Sequence, residues 1–371
     1  MKILHTGDLH LDSPFCAAGA LGADERRQKQ RESLSRVFAC AKEEECDLIL
    51  IAGDLFDGKI VTPETAALVL RLFRESTCPV VIAPGNHDPY TAGSFWSTAT
   101  LPKQVYLFRA KELSFVEPEG LNARIWGYAF TSAALGEDPL VGAIPPEKDG
   151  KWDLLCAHCD LLAPLSRHAP VTVGSIERLG VDYAALGHVH NPAPVAEGET
   201  IRYCGFVEGR SFDELGEGGV WIVTLEEGKS PVIRRRVLSE CRYELDEVDL
   251  SDCAEEGEME QAIGRVIDRY DATTHLRLSL TGTVESLPDL RPWTEKLGQG
   301  LASLELRDET IPAHDDSVLQ KDVGLRGAFY RSLYPKLIDE DGATRQRAIL
   351  ALQIGLAAID GRQIPERRDE I

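Results

Sequence analysis

The sequence predicts an α/β protein whose strands are buried on both faces and end in clustered polar residues. Three observations carry this. Short apolar runs such as Ile49-Leu50-Ile51-Ala52 recur and stop on or beside a glycine or a polar residue, as strands covered on both sides do. Longer segments of mixed polarity lie between them and suit helices. Several runs hand over to Asp, Asn or His, and the carboxyl ends of strands are where α/β sheets bind ligands. Gly53-Asp54 alone is an ordinary turn. The weight comes from four further strand ends of the same kind.

In chain order, Lys2-Ile3-Leu4 opens a strand that ends in Asp8-Leu9-His10, and residues two apart on an extended chain share a face. A helix follows through Arg26 to about Lys42, basic on its early turns. The second strand sets out Asp54 and Asp57. Thr62-Pro63-Glu64 starts the next helix, with Thr as cap and Pro in the first turn. Cys78 to Ala83 is a third strand ending in Pro84-Gly85-Asn86-His87-Asp88. Arg124 to Tyr128 is a strand without a ligand. Trp152 to Ala157 runs into His158, and Val181 to Leu186 into Gly187-His188-Val189-His190. Tyr203-Cys204-Gly205 and Gly218 to Leu225 close the domain.

From Glu244 to Gln261 there are nine acids and no basic residue, which marks a change of unit. Beyond it the reading is strand (Tyr243 to Leu250), helix (Glu258 to Tyr270), strand (Leu276 to Leu280), helix (Leu290 to Leu297) and strand (Ser303 to Arg307). Two helices follow, Leu325 to Leu337 and Thr344 to Ile359. With 371 residues, two or three domains are expected. No stretch approaches the roughly 18 uncharged apolar residues of a membrane span, and the first residues do not read as a signal peptide. Nine cysteines without a spaced framework point to reduced thiols and the cytoplasm.

Collected, the strand ends give Asp8, His10, Asp54, Asn86, His158, His188 and His190. Carboxylate, amide and imidazole donors without thiolate suit hard or borderline divalent metals such as manganese, iron or zinc. Two metals roughly 3.5–4 Å apart can stabilise both the attacking and leaving oxygens of a displacement at phosphorus, and Asp54 is the best-placed bridging carboxylate.

These motifs (Asp8-x-His10, Gly53-Asp54-x-x-Asp57, Gly85-Asn86-His87-Asp88, His158, Gly187-His188-x-His190) resemble, in order, those of the calcineurin-like binuclear metallophosphoesterases. Within that family the chain is similar to the SbcD-type DNA repair exonucleases and, through Asp8 to Phe15 and Tyr203 to Glu214, to the YhaO-type branch. The resemblance implies a metallophosphoesterase β-sandwich flanked by helices over residues 1–240. It implies a small α/β capping domain over 241–324 and a helical C-terminal segment, 325–371, for docking a partner. One metal would be held by Asp8, His10, Asp54 and His190, the other by Asp54, Asn86, His158 and His188, with a bridging hydroxide between them. His87 would stay off the metals and either protonate the leaving oxygen or stabilise the phosphorane, with Asp57 orienting its ring, and manganese would be the activating ion. The implied partners are DNA and an SMC-like ATPase; a homodimer is left open and no membrane is expected.

Other residues have plainer readings. His5 reads as a hydrogen-bonded core residue, and His168, His275 and His314 as surface residues. Cys156 and Cys159 form a C-x-x-C, but residues three apart on a strand face opposite ways, so packing is the better reading. Arg26, Arg27, Lys29, Arg31 and Arg36 form either a phosphate-contacting rim or a solvated helix face. The last helix is apolar on two sides and either packs on this chain or docks on a partner. The net charge of −21 opposes general nucleic-acid binding. A pair of divalent cations would still outweigh Asp8 and Asp54 and leave a local positive focus, so weak DNA binding by the chain alone is expected. A small-substrate phosphoesterase and a non-catalytic scaffold are the alternatives.

Overall fold

The computed structural model describes residues 1–15, 19–145, 149–192, 195, 200–284, 287–313 and 316–361; His314 lies outside them. Two compact units, Met1–Arg242 and Tyr243–Ile371, divide the chain.

The first unit runs β1 (Lys2–Thr6), α1 (Gly19–Glu43), β2 (Leu48–Ile51), α2 (Pro63–Glu75), β3 (Val80–Ile82), α3 (Phe95–Thr98), β4 (Val105–Leu107), β5 (Ser114–Val116), β6 (Ala123–Gly127), β7 (Trp152–His158), α4 (Val173–Leu179), β8 (Tyr183–Gly187), β9 (Ile201–Tyr203), β10 (Gly219–Thr224) and β11 (Val232–Val237). One sheet has the order β11-β10-β1-β2-β3-β4 and the other β5-β6-β7-β8-β9. Strands β1 to β4 are parallel to one another, as are β6 to β9.

The sheets pack face to face. Ile3, Leu48, Leu50 and Val81 of the first share a buried cluster with Ile125, Leu154, Cys156 and Tyr183 of the second. The opposite face of the first sheet, with Leu4, Ile49 and Ile51, is covered by Leu34, Val37 and Phe38 of α1 and Val69 and Phe73 of α2. The outer face of the second, with Leu155 and Leu186, meets Ile176 and Leu179 of α4. This is the expected sandwich with flanking helices. It also explains the continuous apolar runs, because alternate residues enter different cores on both sides of each sheet. Thr62 caps α2 by accepting the Thr65 N–H, with Pro63 in the first turn. Cys156 faces the other sheet while Cys159 lies in the outer cluster, so the two thiols do not converge. All eight described cysteines are free.

The second unit holds β12 (Arg242–Asp249), α5 (Glu256–Ile267), β13 (Thr274–Thr281), β14 (Thr283–Val284), α6 (Leu290–Leu297), β15 (Ser303–Asp308), β16 (Ile311–Pro312), α7 (Asp316–Lys321), α8 (Leu325–Leu337) and α9 (Gly342–Ile359). Its main sheet is β12-β13-β15, against which Met259, Ile263 and Trp293 pack. The acid-rich stretch becomes β12 and the start of α5, where Glu255 and Glu258 form a capping box and complement the helix dipole. In α9, Leu352 and Leu356 bury against Tyr330 of α8, while Ile349 and Ile354 stay exposed. No helix among the described residues is long and apolar enough to cross a membrane.

Candidate metal centre

The carboxyl ends of β1, β2, β3, β7 and β8 deliver the candidate ligands. Asp8 and His10 follow β1, but they do not share a face of an extended strand. Both adopt left-handed backbone, with φ of 50° and 47°, as do Asp54 at 49° and His188 at 104°. Non-glycine residues in this region are strained, and such strain collects at functional sites. Hydrogen bonds hold it in place: Asp8 N–H donates to Gly53 O at 3.0 Å and His10 N–H to Asp54 O at 3.0 Å. Gly53, with φ of 91°, lies against the His158 ring, and a side chain there would overlap it.

The side chains converge. Oxygen and nitrogen donors fall into three groups, Asp8/His10/His190, His10/Asp54/His87 and Asp8/Asp54/His158, the atoms of each within 4.8 Å of one another. Asp8, His10, Asp54 and His158 are buried. Asp54 Oδ2 lies 3.3 Å from His158 Nε2 and 3.8 Å from His10 Nε2. Asn86 Oδ1 is 2.9 Å from His158 Nε2, which puts the amide on the Asp54/His158 side. His188 stands further out. Its backbone N–H donates to Asp8, its ring centroid is 5.1 Å from that of His158, and its Nε2 lies 3.8 Å from Asp160.

Three imidazoles are oriented alike. Nδ1 of His10 meets Asp57 at 2.9 Å, Nδ1 of His190 meets Glu214 at 2.8 Å, and Nδ1 of His158 meets Ala52 O at 3.0 Å. A proton on Nδ1 leaves the Nε2 lone pair for a cation, and Nε2 of His10 and of His190 face each other at 3.3 Å. Desolvation holds His10 and His158 down at about 4 and His188 at about 3, so all three are neutral near pH 7. Burial raises the Asp8 carboxyl, with His158 and His190 opposing. Neutral imidazoles with carboxylate and amide oxygens fit hard or borderline divalent cations.

His87 differs. Its side chain is 44% exposed and its Nδ1 lies 3.2 Å from Asp57 Oδ1. That hydrogen bond outweighs burial and raises His87 to about 9. Burial works against the Asp57 charge, but hydrogen bonds from His10 and His87 hold it well below the usual carboxylate range.

Several further residues shape the site without being marked as ligands or catalysts in the sequence. Asp88 accepts backbone N–H bonds from Asp54, Leu55, Phe56 and Gly85 at 3.1, 3.0, 3.3 and 2.8 Å, tying the β2 and β3 loops together. Glu214 and Arg210 stand behind and beside His190. The Cys204 thiol donates to Asp8 Oδ2 at 3.2 Å. His168 is half-buried with its ring 5.0 Å from that of His188, nearer the site than a surface residue would be. His275 stacks on Tyr243 at 4.5 Å. His5 is fully buried between Tyr183 Oη and Leu186 O, as a core histidine should be. The basic helix divides: Arg36 pairs with Glu208 and Glu240, Arg27 with Asp24, and Arg31 approaches Asp12, while Arg26 reaches the Arg210 carbonyl.

A family model described as calcineurin-like phosphoesterase matches residues 1–192. The chain is also 28% identical over 240 residues to the uncharacterized metallophosphoesterase YhaO of Bacillus subtilis (strain 168), a match covering 62% of this chain. The chain spans 58% of that relative's own length.

Proposed function

The chain belongs to the calcineurin-like phosphoesterases, and on that premise we propose that it hydrolyses phosphodiester bonds in DNA with two divalent ions held at the strand ends. The observation that carries this is the place of Asp54, whose Oδ2 is within 3.8 Å of His10 on one side and 3.3 Å of His158 on the other. One carboxylate thereby serves both halves of the donor set. Asp8, His10, Asp54 and His190 would hold one ion, and Asp54, Asn86, His158 and His188 the other. Manganese is the ion proposed, with iron and zinc compatible with the same donors. When bound, such a pair polarises phosphoryl oxygens and makes water a nucleophile near neutral pH.

The remaining chemistry belongs to Asp57 and His87. With His87 raised to about 9, the imidazolium is the main form at neutral pH and can protonate a departing oxygen. Asp57 holds the ring through Nδ1 and leaves Nε2 for that transfer.

The net charge of −21 makes long duplex DNA a poor ligand for the chain alone. We therefore assign its capture to an SMC-like ATPase partner, with α9 and its exposed Ile349 and Ile354 as the docking element. The free thiols suit a cytoplasmic setting. The same acidity favours a second reading, a phosphoesterase for small substrates. Release from single- and double-stranded oligonucleotides in manganese, set beside turnover of bis(p-nitrophenyl) phosphate, separates the two. Oligonucleotide cleavage is expected, and robust ester turnover without it overturns the DNA reading.

A further inference from the structure

The run Gly209-Arg210-Ser211-Phe212-Asp213-Glu214 supplies none of the proposed metal ligands, yet it lies against the site. Glu214 has a side chain only 3% exposed. It accepts the Arg210 backbone N–H at 2.7 Å and the guanidinium Nε at 2.9 Å, with Nη2 beside it, while the same carboxylate meets His190 Nδ1 at 2.8 Å. The guanidinium is thus fixed in orientation, with its side chain 20% exposed. Nη1 lies 3.8 Å from Asp57 Oδ1, and among the described residues it makes no hydrogen bond. Asp57 also carries His87, so this nitrogen, ion-paired with Asp57 but not hydrogen-bonded to it, sits on the proton-donor side of the site.

Arg210 opens on a cleft of about 410 Å³ whose walls include Ser13, Phe15, Asp57, His190 and Ser211. That exceeds what a lone phosphate fills and falls within the range of small-molecule sites. The Phe15 ring has the Arg26 guanidinium over it, 5.7 Å from its centroid, and Arg26 is tied to the Arg210 carbonyl at 3.3 Å. The cleft therefore combines an oriented cation beside the reaction centre with an aromatic wall, and Arg26 backs that wall without lining the cleft. Oriented guanidinium and aromatic surfaces are the pair that nucleotide units use.

We propose that Arg210 is a specificity-determining residue that binds the phosphate next to the scissile one, on the leaving-group side. Substrates carrying a second phosphate one nucleotide away are then preferred over esters with a single phosphate. This rests on the phosphodiesterase reading above, and the experiment keeps the two apart.

Binding of pTpT, TpTp and TpT to the metal-free full chain is followed by NMR titration up to millimolar concentration, in wild type, Arg210→Ala and Arg210→Lys. At least one phosphorylated dinucleotide binds wild type about tenfold more tightly than TpT, a typical magnitude for a charge-assisted contact. Arg210→Ala abolishes that ratio and Arg210→Lys keeps part of it. With manganese, the ratio of KM for bis(p-nitrophenyl) phosphate to KM for the preferred dinucleotide falls in Arg210→Ala. A wild type that does not discriminate, or a ratio unchanged in Arg210→Ala, overturns the proposal. So does a variant that loses manganese affinity while keeping the ratio, since Arg210 would then only support Glu214. Absence of manganese-dependent ester turnover by wild type sinks the phosphodiesterase reading instead, whatever the ratio.

Discussion

Asp57 Oδ1 lies 3.2 Å from His87 Nδ1, and through that contact a carboxylate held off the proposed ligand set controls the charge of the imidazole beside it. The hydrogen bond raises His87 to about 9. In the metal-free chain the His87 ring signals in an NMR titration are expected to move with a pKa of about 9. Asp57→Asn moves that titration down toward the ordinary histidine value of about 6.5. His87→Ala lowers kcat on an oligonucleotide by about 10²–10⁴-fold, the usual contribution of a general acid. It has less effect on a nitrophenyl ester, whose leaving group needs no proton. A His87 titration that stays in place in Asp57→Asn contradicts the assignment.

Glu214 orients His190 from behind. Such supporting carboxylates are worth about 10–100-fold in metal affinity, and Glu214→Gln is expected to weaken manganese binding by that amount in an indicator competition. Burial opposes the Glu214 charge, but hydrogen bonds from His190 and Arg210 hold it near 2, against an ordinary 4.5. A depressed carboxylate contributes stability above its unfolded value and loses it as pH falls toward the folded one. Between pH 5 and 3, wild type therefore loses stability faster than Glu214→Gln in urea.

Asp88 is the knot between the β2 and β3 loops. Asp88→Ala leaves four amide donors without their acceptor, and each buried unsatisfied group costs about 1–3 kcal/mol. After relaxation and water entry, a loss on the order of 3–5 kcal/mol is expected from the urea midpoint, with weaker manganese binding. A midpoint shift of less than about 0.5 kcal/mol, the scale of an ordinary surface substitution, contradicts the role given to it.

What the sequence made legible follows the apolar runs. β2 and β7 are buried on both faces, so periodicity and a terminal glycine or histidine were enough to find them. Of the six residues of β4 and β5 only Val105 is buried, so unlike β3, whose three residues are all buried, they are not apolar runs covered on both faces. β11 carries Arg234-Arg235-Arg236 and is largely exposed at a sheet edge, so it has no apolar signature. Asp8 and His10 converge through left-handed backbone and not through the strand alternation that their spacing suggests. Glu214 and Asp88 act through hydrogen bonds to atoms distant in sequence. No spacing rule reveals such partners. The run containing Glu214 marked the YhaO-type branch without disclosing what its carboxylate holds.

The acidic surface sets an expectation for DNA. At about 150 mM salt, where the Debye length is about 8 Å, the isolated chain binds duplex DNA weakly in fluorescence anisotropy. Tight binding under those conditions contradicts the division of labour with a partner.

The most direct test of the account counts ions. Manganese bound per chain at saturation, measured by equilibrium dialysis, should be two for wild type and one or none for Asp54→Asn, because the shared carboxylate is lost. A single site in wild type, or a count that Asp54→Asn leaves unchanged, contradicts a pair of cations held through Asp54.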